Sequence, residues 1–205
     1  MNAIHFISAF FALMLATLCC SAQDHPFVDL GLPSGTLWAK TNIGADNPED
    51  YGNHYAWGEI STKNTYDWAT YNYTDFSRIT LDVIHDVAYQ EWGKEWCLPT
   101  LEQCQELYDK CKWKWTTLNG KNGYLLTGPN GNTLFLPAGG WKQLHSGRAG
   151  SFGFYWTSTV YQTRTDGFMG GGSTAYCLAF NSEEILSDYY GARCYGCTIR
   201  AVRWR

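Results

Sequence analysis

The clearest periodic pattern of apolar residues predicts a helix from Thr100 to about Lys112. Apolar side chains recur there at spacings of three and four, which is the spacing of one helix face. Pro99 precedes this segment, and Thr100 with Gln103 three residues later forms the pattern of a capping box. The apolar face predicts that Leu107 packs in a hydrophobic core.

A second, shorter helix is predicted over about Leu81 to Trp92, with Gly93 as its stop. The rest of the chain is typical of short strands between Gly- and Asn-rich turns, including a hairpin turn at Gly128–Asn132. The predicted strands are Thr36–Asn42, Tyr55–Gly58, Gly123–Thr127, Thr133–Pro137, Phe154–Ser158, Ala175–Asn181 and Cys197–Trp204. Strands on both sides of the helices, without a βαβ rhythm, indicate an α+β fold.

The first 22 residues predict a signal peptide. Residues 4–18 are almost wholly apolar, and small side chains at Cys20 and Ala22 fit the positions that precede cleavage after Ala22. This run is shorter than the roughly 20 residues of a membrane span. A retained anchor is the alternative, because no Lys or Arg precedes the run. We expect one exported domain over residues 23–205, without a membrane span, in the periplasm, at the cell surface or outside the cell.

Export would place six cysteines in a compartment that permits disulfides. They are Cys97, Cys104, Cys111, Cys177, Cys194 and Cys197, and six cysteines allow fifteen complete pairings. Cys104 and Cys111 lie seven residues apart on the predicted helix, about 10.5 Å along its axis. A disulfide needs Cα atoms within about 7 Å, so these two cannot pair while the helix is intact. The pairing of the others stays open, with free thiols as an alternative.

Composition and charge exclude several classes of function. The 205 residues include 15 Lys or Arg and 19 Asp or Glu, so the formal net charge is −4. Because no basic run is present, a nucleic-acid partner held by phosphate contacts is not expected. Aromatic residues make up 17% of the chain, which is ample for a core and argues against intrinsic disorder.

The common motifs of catalytic and metal sites are missing from the sequence. HExxH, a Walker loop, GxSxG and GxGxxG after a strand are absent. Cys194 and Cys197 form a CxxC pair, but a strand pattern follows instead of the helix that a thioredoxin-like pair requires. A zinc ribbon would need a second CxxC. We therefore predict no catalytic residue, no metal ligand and no cofactor, and we expect that the chain is not an enzyme.

Aromatic side chains crowd the last third of the chain among Gly, Ser and Asp, a composition typical of adaptable recognition surfaces. Trp156 and Tyr176 lie in predicted strands and are assigned to the core. The predicted ligand-binding surface lies in loops and consists of Tyr161, Tyr189, Tyr190, Arg193 and Tyr195, residue types that binding hot spots favour. Packing of these side chains against the domain's own sheets is the alternative.

Short motifs over nearly the whole mature chain carry a family resemblance. They are Val28–Ala39, Asp50–Gly52, Tyr55–Glu59, Trp92–Gly93, Trp96–Thr100, Cys111–Trp115, Leu134–Gly140, Tyr155–Thr159, Ala175–Phe180 and Thr198–Val202. Together they resemble secreted Bacteroidetes proteins of the Fibrobacter succinogenes major paralogous domain family. One position departs from that pattern, because Cys97 stands where the family usually has Arg.

The resemblance implies a C-type lectin-like fold related to formylglycine-generating enzymes, with two helices and short twisted antiparallel sheets. It does not imply catalysis, because Cys194 and Cys197 lie too close to the last strand to match the copper-binding pair of those enzymes. The sugar-binding motifs of calcium-dependent lectins are also absent. Diversity-generating retroelements act on proteins of this fold, and their mutagenesis of Asn codons cannot produce Gln, Lys, Glu, Met or Trp. The segment from Asp188 to Ile199 contains none of these five residue types.

The leading functional expectation is an exported, non-catalytic binding module that presents a loop and aromatic surface to an extracellular glycan or protein. Two alternatives stay open. One is an exported enzyme related to formylglycine-generating oxidases, which copper-dependent oxidation of a thiol peptide would favour. The other is a structural component of a cell-surface assembly, which co-purification in a stoichiometric complex would favour.

Overall fold

The computed structural model describes residues 25–143, 147–161 and 172–204. The predicted signal peptide and the predicted start of the mature chain lie outside these residues. The described elements are β1 (Phe27–Asp29), β2 (Leu37–Ala39), α1 (Val87–Trp92), α2 (Leu101–Lys110), β3 (Lys112–Leu118), β4 (Lys121–Thr127), β5 (Thr133–Pro137), β6 (Gly153–Tyr161), β7 (Thr174–Phe180), β8 (Ile185–Ala192) and β9 (Val202–Arg203). The strands form three antiparallel sheets, in the orders β1-β2-β9, β3-β4-β5 and β6-β7-β8.

The prediction of an α+β, C-type lectin-like fold is wrong. The structure is about 10% helical and 37% strand, and its described strands form small antiparallel sheets without a closed barrel. The two helices have only 6 and 10 residues, which is too little to build a helical layer. The strand content is higher than predicted because β3 and β8 form where the sequence pattern predicted neither a helix nor a strand. Among the described residues, no helix has the length and apolar character needed to cross a membrane.

The capping pattern of the main helix is confirmed. The Gln103 backbone N–H donates to the Thr100 hydroxyl at 3.3 Å, and the Thr100 N–H donates to the Gln103 side chain at 2.8 Å. Helix α2 ends at Lys110, two residues earlier than predicted, because Cys111 has extended backbone angles and leads into β3. The six described cysteines are free thiols.

Helix α1 begins at Val87 and not at Leu81. The Asp86 side chain caps its amino end by accepting hydrogen bonds from the backbone N–H groups of Ala88 and Tyr89. The same carboxyl group accepts from the Leu98 N–H at 2.8 Å. Asp86 therefore fixes both the start of α1 and the chain that leads to α2.

The core consists of two clusters on the two faces of the β6-β7-β8 sheet. Tyr155 and Leu178 belong to the cluster that contains Leu107 of α2. Their strand neighbours Trp156 and Cys177 belong to the other cluster. Because side chains alternate between the faces of a strand, β6 and β7 contribute to both clusters. The predicted burial of Leu107 is confirmed.

We expect Leu107→Ala to lower the free energy of unfolding by about 2–5 kcal/mol, because it leaves a cavity in the first core cluster. Chemical denaturation followed by tryptophan fluorescence would measure this loss. The neighbouring Tyr108 is 43% exposed, so Tyr108→Ala is a control expected to stay within about 0.5 kcal/mol. A denaturation midpoint of Leu107→Ala equal to that of the wild type would contradict the prediction.

Candidate ligand-binding groove

An aromatic groove with a volume of about 280 Å³ lies on one face of the β6-β7-β8 sheet. Its floor consists of Trp156, Cys177, Gly191 and Cys197, and its walls of Trp141, Phe154, Tyr189 and Tyr195. Gln143 completes the lining, and its amide donates to the Tyr195 hydroxyl at 3.2 Å. The groove is therefore open above a buried floor and is enclosed mainly by aromatic rings.

Strand register brings the floor and one wall together. Trp156 of β6 lies opposite Cys177 of β7, and Cys177 lies opposite Tyr189 of β8. Residues paired in this way project from the same face of a sheet. A Cβ atom at Gly191 would come within 3.5 Å of the Trp156 ring. This is an ordinary van der Waals distance, so Gly191 packs against the Trp156 ring at the floor of the groove.

The walls meet at steep angles. The Trp141 and Phe154 ring centroids are 4.9 Å apart with an interplanar angle of 70°. The Phe154 and Tyr189 centroids are 5.8 Å apart at 63°. These are edge-to-face contacts, which aromatic pairs prefer. These contacts hold the Phe154 ring between the inclined rings of Trp141 and Tyr189 and give the groove a defined shape.

A second hollow of about 190 Å³ adjoins the groove and shares Phe154 and Tyr189 with it. The other residues that line it are Phe152, Ala179, Phe180, Asn181, Glu184 and Leu186. Among the described residues that line the groove and the hollow, Glu184 is the only one with a carboxylate side chain, and none is Lys or Arg. The two spaces together make an apolar surface with one acidic end.

The lining of the groove is uncharged at neutral pH. Burial raises the pKa of the Cys177 and Cys197 thiols well above the usual range. Burial also raises the pKa of the Tyr189 hydroxyl. Because the thiolate and not the thiol is the nucleophile, these thiols are suited to packing. Burial raises the pKa of Cys194 to about 11, the opposite of the lowered value in a thioredoxin-like CxxC pair.

The predicted tyrosines lie close to one another in the structure. Tyr189 and Tyr195 line the groove. The Tyr190 ring lies 6.1 Å from the Tyr189 ring and stacks on Tyr161 at 3.8 Å. The prediction that all four lie in loops is wrong, because Tyr161 ends β6 and Tyr189 and Tyr190 belong to β8. Tyr176 contacts Tyr161 at 5.1 Å and extends the row.

Arg193 corrects the predicted site, because it is fully buried and not part of the surface. Its guanidinium carbon lies 4.2 Å from the centroid of the Trp57 ring and 5.5 Å from that of Phe76. The Arg193 backbone carbonyl also accepts from the Trp57 N–H at 2.8 Å. A cation that stacks on aromatic faces loses less on burial than an isolated one. Arg193 thus anchors the chain after β8 to the segment around Trp57.

The sequence-based prediction missed Trp141, Gln143 and Phe154. Phe152, just before β6, alternates with Phe154 and Trp156 of β6, and this period of two was the available signal for one shared face. For Trp141 there is no local signal. It reaches the groove because Lys142 pairs with Gly196 through two backbone hydrogen bonds, of 2.7 and 2.9 Å.

Comparisons with known proteins identify no relative of this chain. No protein-family model matches it, and neither a curated protein nor a solved structure was found to be similar to it. Among the described residues, no group of three or more His, Cys, Asp and Glu side chains could hold a metal ion. The geometry of the groove is therefore the main indication of what this chain binds.

Proposed function

We propose that the chain is an exported, non-catalytic binding module whose aromatic groove holds part of an extracellular glycan or protein ligand. The observation that supports this proposal is the continuous row of aromatic rings from Tyr161 through Tyr190, Tyr189 and Phe154 to Trp141. Tyr189 and Tyr190 in this row are exposed. Large rigid rings bury area at a small cost in conformational entropy, so such rows favour binding.

The size of the groove suits one ring or one side chain of a larger ligand. Its volume of about 280 Å³ is just below the range of small-molecule sites, about 300–1,000 Å³. The adjoining hollow could receive a neighbouring group, because Phe154 and Tyr189 line both spaces. A ligand with two successive groups would therefore contact both sides of the Tyr189 wall.

The chemistry of the lining supports binding over catalysis. General acid–base chemistry needs titratable groups within hydrogen-bond reach of the reacting atoms. The described lining of the groove contains two thiols that burial keeps protonated, and its other polar side chains are neutral. The predicted signal peptide and the motifs that resemble secreted Bacteroidetes proteins support the exported location.

We expect Tyr189→Ala to weaken ligand binding by about ten-fold or more, because this ring forms a wall of both the groove and the hollow. Its free energy of unfolding should fall by less than about 1 kcal/mol, since Tyr189 is a partly exposed cross-strand neighbour. Labelled protein applied to a glycan array and to whole cells would measure the binding. The matched control is Tyr108→Ala, because Tyr108 is 43% exposed and Tyr189 is 42% exposed. Equal binding by the two variants would contradict the proposal.

A further inference from the structure

We infer that the aromatic groove receives the cationic side chain of an Arg or Lys residue of a protein ligand. This inference rests on the proposed function and narrows it to one class of ligand. It follows from the arrangement of the rings, the distribution of charge around the groove and the apolar floor.

The walls present aromatic rings to one small space from several directions. A ring carries negative charge on its faces, so a cation within about 6 Å of its centroid is attracted. Trp141 and Tyr189 stand at 70° and 63° to Phe154. A group in the groove therefore lies beside several rings at once, as a cation favours, whereas a sugar ring favours one flat and open platform.

Charge around the groove is complementary to a cation. Glu184 lines the adjoining hollow, and Glu183 is exposed on the same β7–β8 hairpin. The two positive groups nearby stack on rings that do not line the groove itself, although Phe152 does line the adjoining hollow. Lys142 lies with its ammonium 6.0 Å from the Tyr66 centroid, and Arg148 has its guanidinium carbon 5.0 Å from the Phe152 centroid.

The chain itself places cations on aromatic rings at several other positions. Arg193 lies over Trp57, Arg203 over Phe27 and Arg148 over Phe152. Among the described residues, the groove has the same kind of lining without a Lys or Arg residue of its own. Arg148 over Phe152 shows that a guanidinium fits at the margin of the adjoining hollow.

The floor favours a long basic side chain over a compact amine. Lys and Arg pack their methylene stems along apolar surface and leave the charged head at its edge. The partly exposed rings of Trp141, Phe154 and Tyr195, above the buried floor, provide such a surface. A stem over this floor would carry its head toward the hollow that Glu184 lines. These features together favour a basic segment of a protein over a glycan.

The test compares two capped tripeptides, acetyl-Gly-Arg-Gly-amide and acetyl-Gly-citrulline-Gly-amide, which differ in charge but have nearly the same shape. Titration of the full chain is followed by NMR shifts of the indole N–H groups of Trp141 and Trp156. We expect the Arg peptide to bind at least ten-fold more tightly than the citrulline peptide. Glu184→Gln should reduce this ratio of affinities several-fold, and Tyr189→Ala should abolish the indole shifts. The control Tyr108→Ala should change neither the ratio of affinities nor the indole shifts.

Equal affinity for the two peptides, or no indole shift with either, would overturn this inference. If a neutral glycan binds and Tyr189→Ala weakens that binding, the proposed function stands and the cationic ligand is wrong. If Tyr189→Ala changes the binding of neither peptides nor glycans nor cells, the proposed function fails as well. A denaturation curve of Tyr189→Ala would show that the variant is folded, so that a loss of binding is not caused by unfolding.

Discussion

Arg200→Leu is expected to lower the free energy of unfolding by about 3–5 kcal/mol. Arg200 is buried and donates to the Asn42 side chain at 2.8 Å and to the backbone carbonyls of Ala39 and Phe135 at 3.0 Å. Leucine would leave three buried acceptors without donors, and each costs about 1–3 kcal/mol. Relief from burying the guanidinium offsets part of that loss, because burial also lowers the pKa of Arg200 to about 10.

Chemical denaturation of Arg200→Leu beside Arg78→Leu would measure this effect. Arg78 is exposed and pairs with Asp75 and Asp82, and exposed ion pairs contribute about 0–1 kcal/mol. Arg200→Lys should fall between the wild type and Arg200→Leu, because a single ammonium cannot reach acceptors spread around a planar guanidinium. If Arg200→Leu were as stable as the wild type, these hydrogen bonds would not stabilise the fold.

Trp156→Ala should also lower the free energy of unfolding, by about 3–5 kcal/mol. The Trp156 ring is fully buried in the second core cluster, and its indole N–H donates to the Tyr55 carbonyl at 2.9 Å. The variant would lose both the packing and this donor. Because the same ring is the floor of the groove, ligand binding should be lost even under conditions where the variant stays folded.

Two further variants separate the contributions of Trp156. Trp156→Phe keeps an aromatic floor but removes the N–H donor, so it should be less destabilised than Trp156→Ala and keep part of the binding. Trp68 is exposed, and Trp68→Ala should change the free energy of unfolding by less than about 1 kcal/mol. A stable Trp156→Ala variant with unchanged binding would contradict the role of Trp156 as floor and core.

Local patterns predicted the elements that depend on local contacts. The capping box of α2 joins residues three apart, so Thr100 and Gln103 were sufficient to place its start. Strand β5 has the predicted bounds Thr133–Pro137. The turn before it is closed by the hydrogen bond from the Gly128 N–H to the Asn132 carbonyl at 2.9 Å. In each case the interacting groups lie within a few residues of each other.

Strands whose partners lie far away were harder to predict. Lys112–Leu118 alternates Lys with partly buried Trp, a period of two that the sequence-based interpretation overlooked after the helix. Strand β8 has no clear alternation, because its register with β7 shifts between Cys177 and Ala179. The predicted α+β class gave the two helices a weight that their lengths of 6 and 10 residues do not support.

The sequence by itself determined which residues cap, turn and alternate, because short spacings control those properties. Only the tertiary structure decided where the aromatic groove lies and which predicted residues belong to it. Arg193 is buried because Trp57, far away in the chain, covers its guanidinium. Trp141 becomes a wall because the backbone of Lys142 pairs with Gly196. Contacts between residues this distant leave no periodic signal, so the groove becomes visible only after the chain has folded.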